Sequence, residues 1–221
     1  MEPSNYGTYL VTQESLSDGR STLEVVEAAV AGGVDVVQLR EKGTDTRWRY
    51  DLGLEVREVT AEAGVDLIVN DRVDVAEAID ADGVHVGQSD LPVPVARELL
   101  GPEAVVGCSA STVAEAEAAE ADGADYLGVG SIYGTTSKDV PEPEDDVGPE
   151  RVAEIAEAVS IPIVGIGGVT AENTGPVIEA GAVGVAVISE ITAADDPAAA
   201  TDALAGAVEK TKREAGERDR R

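Results

Sequence analysis

Arg40 and Lys42 stand two residues apart in the segment QLREKG (38–43). The chain of 221 residues has only 16 Lys and Arg against 44 Asp and Glu, a formal net charge of −28. Two cations so close together in so acidic a chain point to an anionic ligand, for which guanidinium and ammonium groups are the natural donors. Asp71 in NDR (70–72) and Asp90 in GQSD (87–90) are candidate ligands for a divalent cation. Mg²⁺ takes one or two protein carboxylates and completes its shell with phosphate oxygens and water. Helix capping is the competing role for both aspartates. The segment 131–150 carries the hydroxyls of Thr135, Thr136 and Ser137 and one cation, Lys138. GIGGVT (165–170) and VISEIT (187–192) offer the backbone amides of Gly167, Gly168, Ile188 and Ser189 to a phosphate at helix N-termini. Two anion sites result. One combines Arg40, Lys138 and Mg²⁺ on Asp71 and Asp90; the other is a neutral, backbone-lined cup. Two anionic substrates meeting in one place is a transferase arrangement.

These residues must be held by a scaffold, and the hydrophobic pattern supplies one. Apolar, β-branched runs at 7–12, 34–39, 65–70, 83–87, 104–108, 125–130, 161–166 and 183–188 read as strands. Alanine-rich amphipathic stretches at 21–31, 46–63, 72–80, 92–99, 112–122, 149–159, 171–180 and 197–213 read as helices. Continuous apolar strands are those buried on both faces, the signature of a parallel sheet. A loose repeat runs through AGGVDVV (31–37), AGVDLIV (63–69), ADGVHVG (81–87), ADGADYLGVG (121–130) and AGAVGVAVI (180–188): a helix ending in Ala, a Gly stop, then a Val-rich strand. Eight such units predict an α/β fold, a (β/α)8 TIM barrel, as one domain over 1–221 with a charged tail from about 210 to 221. A doubly wound open sheet competes, but no GxGxxG follows the first strand.

In a barrel, function gathers where strands end, and every residue discussed above sits there. Strand alternation turns Gln38 and Arg40 toward the barrel interior and Val37 and Leu39 toward the helices. CSAST (108–112) places Ser109 just after strand 5, with Cys108 as a small core residue. His85, between Val84 and Val86, reads as a hydrogen-bonded structural histidine.

Composition removes whole classes of function. The acid excess speaks against nucleic acid as a partner, because phosphate affinity requires basic clusters. No stretch approaches the roughly 20 apolar residues of a membrane span. The start MEPSNYGTYL has no signal-peptide pattern, so a cytoplasmic location is expected. One Cys and one His exclude Cys-cluster and multi-His metal sites. A homo-oligomer is compatible with this sequence. Acids spread along the whole chain, few Lys and no Phe fit a protein adapted to high salt.

The segments QLREK (38–42), NDR (70–72), GVHVGQSD (83–90), CSAST (108–112), TTSK (135–138), VGIGGV (164–169) and VIS (187–189) together resemble the thiamine-phosphate synthase family, from about Tyr9 to Ala207. The resemblance implies a (β/α)8 enzyme that joins hydroxymethylpyrimidine diphosphate to a thiazole phosphate and releases pyrophosphate. It implies that Gln38, Leu39, Arg40, Glu41, Lys42, Asn70, Ser109 and Lys138 hold the pyrimidine diphosphate, and that Asp71 and Asp90 hold Mg²⁺. It assigns Thr135, Thr136, Ser137, Gly168, Ile188 and Ser189 to the thiazole phosphate, and Arg40, Lys138 and Ser109 to catalysis. Two phosphorylated small molecules are thus the expected partners. The chain departs from the family's habit at Gly134, where a proline is usual, at Ser137, where a second threonine is common, and at Ser111, often a histidine. A sister thiazole tautomerase relies on that histidine. A non-catalytic barrel for thiamine precursors has no need of the two aspartates.

The charge generates a first prediction. Screening collapses from a Debye length of about 3 Å in molar salt to about 30 Å at 0.01 M. Stability should therefore fall as KCl is removed, read as a declining unfolding temperature. A constant midpoint across that range would show that self-repulsion from −28 is immaterial.

Overall fold

A strand buried on both faces must send alternate residues to opposite layers, and the computed structural model, which describes residues 2–134 and 146–219, does so in every strand. Strands β1 (Thr8–Val11), β2 (Val36–Leu39), β3 (Asp66–Asn70), β4 (Gly83–Val86), β5 (Val105–Ala110), β6 (Tyr126–Val129), β7 (Ile163–Ile166) and β8 (Gly184–Val187) pair in parallel and in order, and β8 returns to β1 to close a barrel. The intervening helices are α1 (Thr22–Ala31), α2 (Thr46–Ala63), α3 (Val73–Ala78), α4 (Val93–Leu100), α5 (Val113–Ala121), α6 (Gly148–Ala158), α7 (Thr174–Glu179), α8 (Ser189–Thr192) and α9 (Pro197–Asp219). The fold is the (β/α)8 TIM barrel that the repeat predicts.

Leu10, Val37, Leu39, Leu67, Val84, Val106, Leu127 and Val185 face outward and form one core with the helices. Tyr9, Val36, Ile68, Tyr126, Val164 and Ala186 face inward and form a second. Local signals start and stop the helices. Ser21 and Glu24 form a reciprocal capping box on α1, as do Thr112 and Glu115 on α5. Asp45 caps α2, which ends at Gly64 in the left-handed region.

Most boundaries shift by a residue or two from the sequence reading, and three of the differences matter here. β5 runs to Ala110, paired through Ser109↔Gly128 and Ala110↔Val129, so Ser109 belongs to the strand and not to the loop after it. α7 begins at Thr174, not 171, because Asn173 folds the preceding residues into a turn: it accepts from Thr170 N at 2.7 Å and donates to Gly168 O at 3.0 Å. Finally, α9 continues to Asp219, so the charged residues from 210 to 219 are helical.

Three aspartates that immediately precede strands fasten the N-terminal rim. Asp35, before β2, accepts from Gly7 N at 3.1 Å and Thr8 N at 2.8 Å at the start of β1. Asp82, before β4, accepts from Leu67 N on β3 at 2.8 Å and from Arg57 at 2.7 Å. Asp125, before β6, accepts from Val106 N on β5 at 2.7 Å and pairs with Arg97. Each carboxylate satisfies a strand-end N–H that the ladder leaves open and ties one strand to its neighbour. Deleting such an acceptor strands a donor. Asp82→Ala should cost about 1–3 kcal/mol of unfolding free energy. Asp51→Ala, which removes an exposed i,i+4 partner of Arg47, should cost about 0.5 kcal/mol or less. Equal losses in denaturant titrations of the two variants would remove the distinction between rim and surface acids.

Candidate active site

The inward register leaves a cavity of about 250 Å³ at the C-terminal mouth, walled by Arg40, Lys42, Asn70, Asp90 and Ser109 and floored by Tyr9 and Tyr126. Arg40 follows β2 on the inward side and is 8 % exposed. Its Nη1 donates to Gln13 Oε1 at 2.8 Å, and its backbone N–H donates to Thr12 Oγ1 at 3.1 Å. Gln13 Oε1 also accepts from Lys42 N at 3.3 Å, so one amide at the end of β1 organises the basic segment.

Alternation splits the segment 38–42. Gln38, Arg40 and Lys42 line the cavity. Leu39 packs outward among the helices. The buried Glu41 carboxylate also turns away, accepting from Glu14 N at 2.8 Å and Thr22 Oγ1 at 2.7 Å. Leu39 and Glu41 can therefore meet a ligand in the cavity only through the main chain.

Asp71 holds a left-handed backbone, φ 62°, with its N–H donating to His85 O at 2.9 Å. That conformation is uncommon outside glycine and is tolerated best by Asn and Asp. Neither aspartate caps a helix: Arg72 and Pro92 occupy the cap positions of α3 and α4, and neither makes a side-chain cap bond. Asp90 instead accepts from Gly87 N at 2.8 Å within its own turn. The Asp71 and Asp90 carboxyls lie within hydrogen-bonding reach of each other, and Lys42 Nζ is 3.5 Å from Asp71. Burial pushes the Asp71 carboxyl above its ordinary range; the Lys42 charge opposes this and the Asp90 charge reinforces it. Two oxygen-donor groups crowded together suit a hard divalent cation. Among the described residues no third His, Cys, Asp or Glu joins them, which leaves positions for ligand oxygens and water, the habit of Mg²⁺.

Beside this cavity lies a cup of about 90 Å³ formed by Gly167, Gly168, Ile188 and Ser189 with their neighbours. Gly167 and Gly168 have φ of 105° and 64°. A Cβ on Gly167 would strike Ser131, and one on Gly168 would strike the Gly134 carbonyl, so glycine alone fits both positions. Behind the glycine pair stands the Asn173 turn instead of the expected helix start. The short α8 begins at Ser189, directly after β8. The cup and the main cavity share Ile166, Ala186 and Ile188. Thr135, Thr136, Ser137 and Lys138 lie outside the described residues.

Sequence reasoning missed Thr12 and Gln13, although reading the end of β1 as the other strand ends were read names both. It missed Tyr9 and Tyr126 as cavity floor. His85 is hydrogen-bonded as expected, but it also faces the cavity. Its Nδ1 lies 3.1 Å from Tyr126 Oη and its Nε2 lies 3.0 Å from Ser109 Oγ.

Residues 8–191 match the family model described as thiamine monophosphate synthase. A thiamine-phosphate synthase of Haloquadratum walsbyi is 60 % identical over 202 residues, covering 91 % of each chain. One of Natronomonas pharaonis is 60 % identical over 205 residues, covering 93 % of this chain and 96 % of its own. The solved thiamine phosphate pyrophosphorylase of Pyrococcus furiosus superposes with a TM-score of 0.85 at 38 % identity, covering 95 % of this chain and 98 % of the other.

Cys108 sits on the outward side of β5, among the helices. Burial pushes its thiol up to about 11. At pH 8 about one molecule in a thousand then carries a thiolate, the only reactive form. Alkylation of the folded protein at pH 8 should be slower than that of the unfolded chain by at least about a hundredfold. Similar rates in the two states, followed by mass spectrometry, would show Cys108 to be open and ionised.

Proposed function

The chain belongs to the thiamine monophosphate synthase family, and from that premise we propose that it is a transferase joining 4-amino-2-methyl-5-(diphosphooxymethyl)pyrimidine to 4-methyl-5-(2-phosphooxyethyl)thiazole, with release of pyrophosphate and formation of thiamine phosphate. The observation that carries this reading is the pair of adjoining cavities, one acidic and basic, the other lined by glycine and main-chain amides. Arg40, Lys42 and Lys138 bind the diphosphate, with Gln38, Asn70 and Ser109 around the pyrimidine and main-chain groups of Leu39 and Glu41 completing the segment. The thiazole phosphate takes the amides of Gly168, Ile188 and Ser189 with the hydroxyls of Thr135, Thr136 and Ser137.

The reaction is a dissociative substitution. The bond between the pyrimidine methylene carbon and the bridging oxygen breaks, and its electron pair leaves with pyrophosphate. The resulting pyrimidinylmethyl cation, stabilised by the ring's amino group, is captured by the thiazole nitrogen lone pair. No proton changes hands at the reacting carbon, so the step itself calls for neither a nucleophile nor a general base from the protein. Mg²⁺ held by Asp71 and Asp90 supplies charge neutralisation for the diphosphate. Arg40, already fixed by Gln13 before any ligand arrives, stabilises charge growing on the leaving group without reorganising, and the Lys138 charge serves the same end. Holding the thiazole in line supplies the rest. A homo-oligomer remains compatible with this scheme, which is complete within one chain. Among the described residues no helix is long and apolar enough to cross a membrane. The sister tautomerase reading loses its histidine here: Ser111 donates through both N–H and Oγ to Glu115 on the exposed start of α5.

Incubation with both substrates and Mg²⁺ in molar KCl should yield thiamine phosphate and stoichiometric pyrophosphate. Asp71→Asn and Asp90→Asn should each lower turnover at limiting Mg²⁺ by about 10²-fold or more, with circular dichroism unchanged. Near-normal turnover in either variant would remove that carboxylate from the metal site. Absence of product with the unaltered protein would overturn the reading as a whole.

A further inference from the structure

Four buried polar groups and the half-buried Ser109 form a hydrogen-bonded file across the barrel floor. Gln38 Nε2 donates to Tyr9 Oη at 2.8 Å, Tyr9 Oη lies 2.8 Å from Tyr126 Oη, Tyr126 Oη lies 3.1 Å from His85 Nδ1, and His85 Nε2 lies 3.0 Å from Ser109 Oγ. Gln38, Tyr9, Tyr126 and His85 are each at least nine-tenths buried. The space for this file is cut by glycine. A Cβ on Gly107 would strike the Tyr126 ring and His85 Nδ1, and one on Gly128 would stand 2.9 Å from His85 Cε1. Two inward positions on adjacent strands are thus kept bare for the rings.

The direction of such a file is fixed at one end, because each phenol carries one proton and neutral imidazole carries one. The amide nitrogen of Gln38 can only donate. Tyr9 oxygen accepts there, and the arrangement that leaves no buried phenol proton unpaired sends the Tyr9 proton to Tyr126. Tyr126 in turn gives its proton to His85 Nδ1, which must be bare. The single imidazole proton then sits on Nε2 and goes to Ser109 Oγ. The Ser109 proton is left over, and Ser109 lines the cavity. Burial raises both phenols far above their ordinary values, so each keeps its proton. An inverted Gln38 amide would reverse every bond, put the proton on Nδ1, and present a Ser109 lone pair to the cavity.

We infer that Gln38, acting through Tyr9, Tyr126 and His85, locks His85 in its Nε2–H form and makes Ser109 a hydrogen-bond donor to an acceptor atom of the molecule in the main cavity. Tyr9, Tyr126 and His85 are then positioning residues, and Ser109 is the group that touches ligand. Only the identity of that acceptor, an oxygen or ring nitrogen of the pyrimidine diphosphate, rests on the function proposed above.

His85 is the sole histidine of the chain, so its ring nitrogens are resolved without ambiguity in a ¹⁵N-histidine-labelled sample. The substrate-free protein in molar KCl should show one neutral tautomer, protonated at Nε2. Gln38→Glu replaces the terminal donor with an acceptor three hydrogen bonds from His85 and should transfer the proton to Nδ1. Should Gln38→Glu fail to fold, Tyr9→Phe cuts the file and should give a mixture of tautomers with circular dichroism intact. An Nδ1–H form in the unaltered protein, or a tautomer indifferent to whichever of these variants folds, overturns the inference. The second readout is kinetic. Tyr126→Phe should lower kcat/KM about tenfold, and combined with Ser109→Ala it should add no further loss. Full additivity in that cycle would assign Tyr126 a merely structural role. The tautomer measurement needs no substrate, so its failure is distinct from failure of the proposed reaction.

Discussion

A closed barrel gives its inward residues a fixed volume and no access to bulk water below the mouth. Every polar group placed there must find a partner inside that volume or pay several kcal/mol of desolvation. This constraint explains why the interior holds tyrosine where a hydrocarbon ring would fill the same space. Tyr6 packs edge to face on both Tyr9 and Tyr126, whose own rings are tilted at 48°, with all centroids 5.5–6.2 Å apart, and each hydroxyl is spoken for. Tyr6 donates to Asp66 at 2.7 Å at the closed end, while Tyr9 and Tyr126 pass their bonds upward to His85 and the cavity. The floor of the site is therefore also the plug of the barrel, and loosening one loosens the other.

The acid excess is divided by the same geometry. Asp35, Asp82 and Asp125 are bound to strand-end amides at the N-terminal rim, where a carboxylate is a structural acceptor. Asp71 and Asp90 stand together at the opposite end, where two adjacent carboxylates repel unless a cation comes between them. Most other acids face solvent and contribute to net charge more than to any contact. One residue type thus serves three purposes, and position along the barrel axis decides which. The few cations follow a matching rule: Arg57 and Arg97 reinforce the rim, while Arg40 and Lys42 are kept for the mouth.

What was legible in the sequence is what depends on local periodicity. The strands and helices, their order, and the inward direction of Gln38 and Arg40 follow from alternation within single segments. The strand-end rule then gathers Asn70, Asp71, Asp90 and Ser109 into one cavity without any knowledge of distances. The illegible part depends on contacts distant in sequence. Tyr9 and Tyr126 are 117 residues apart and meet only because β1 and β6 face each other across the interior. Glu41 looks like part of a charged ligand-binding run, yet alternation sends it outward to Thr22 and Glu14. The late start of α7 was hidden because Asn173 bonds back to Gly168 and Thr170, a side-chain turn that competes with the helix that periodicity alone suggests.

The wall between the two cavities bears on how the proposed substitution avoids water. Ile166, Ala186 and Ile188 are shared by both, so the partition is made of apolar side chains from β7, β8 and the residue after β8. A pyrimidinylmethyl cation formed in the larger cavity needs a nucleophile within reach and must be kept from hydrolysis meanwhile. An isoleucine–alanine partition meets the second need, because it offers no polar group to hold a water molecule between the substrates. It would meet the first through size, because the alanine side chain at 186 is smaller than the isoleucines at 166 and 188. On the proposed reaction, the reacting atoms would meet beside these shared apolar side chains, apart from the polar groups that would bind the two phosphates. On that reading, charge is managed by the groups of the two phosphate sites and bond-making falls to the apolar boundary between them, so the barrel would separate the two tasks.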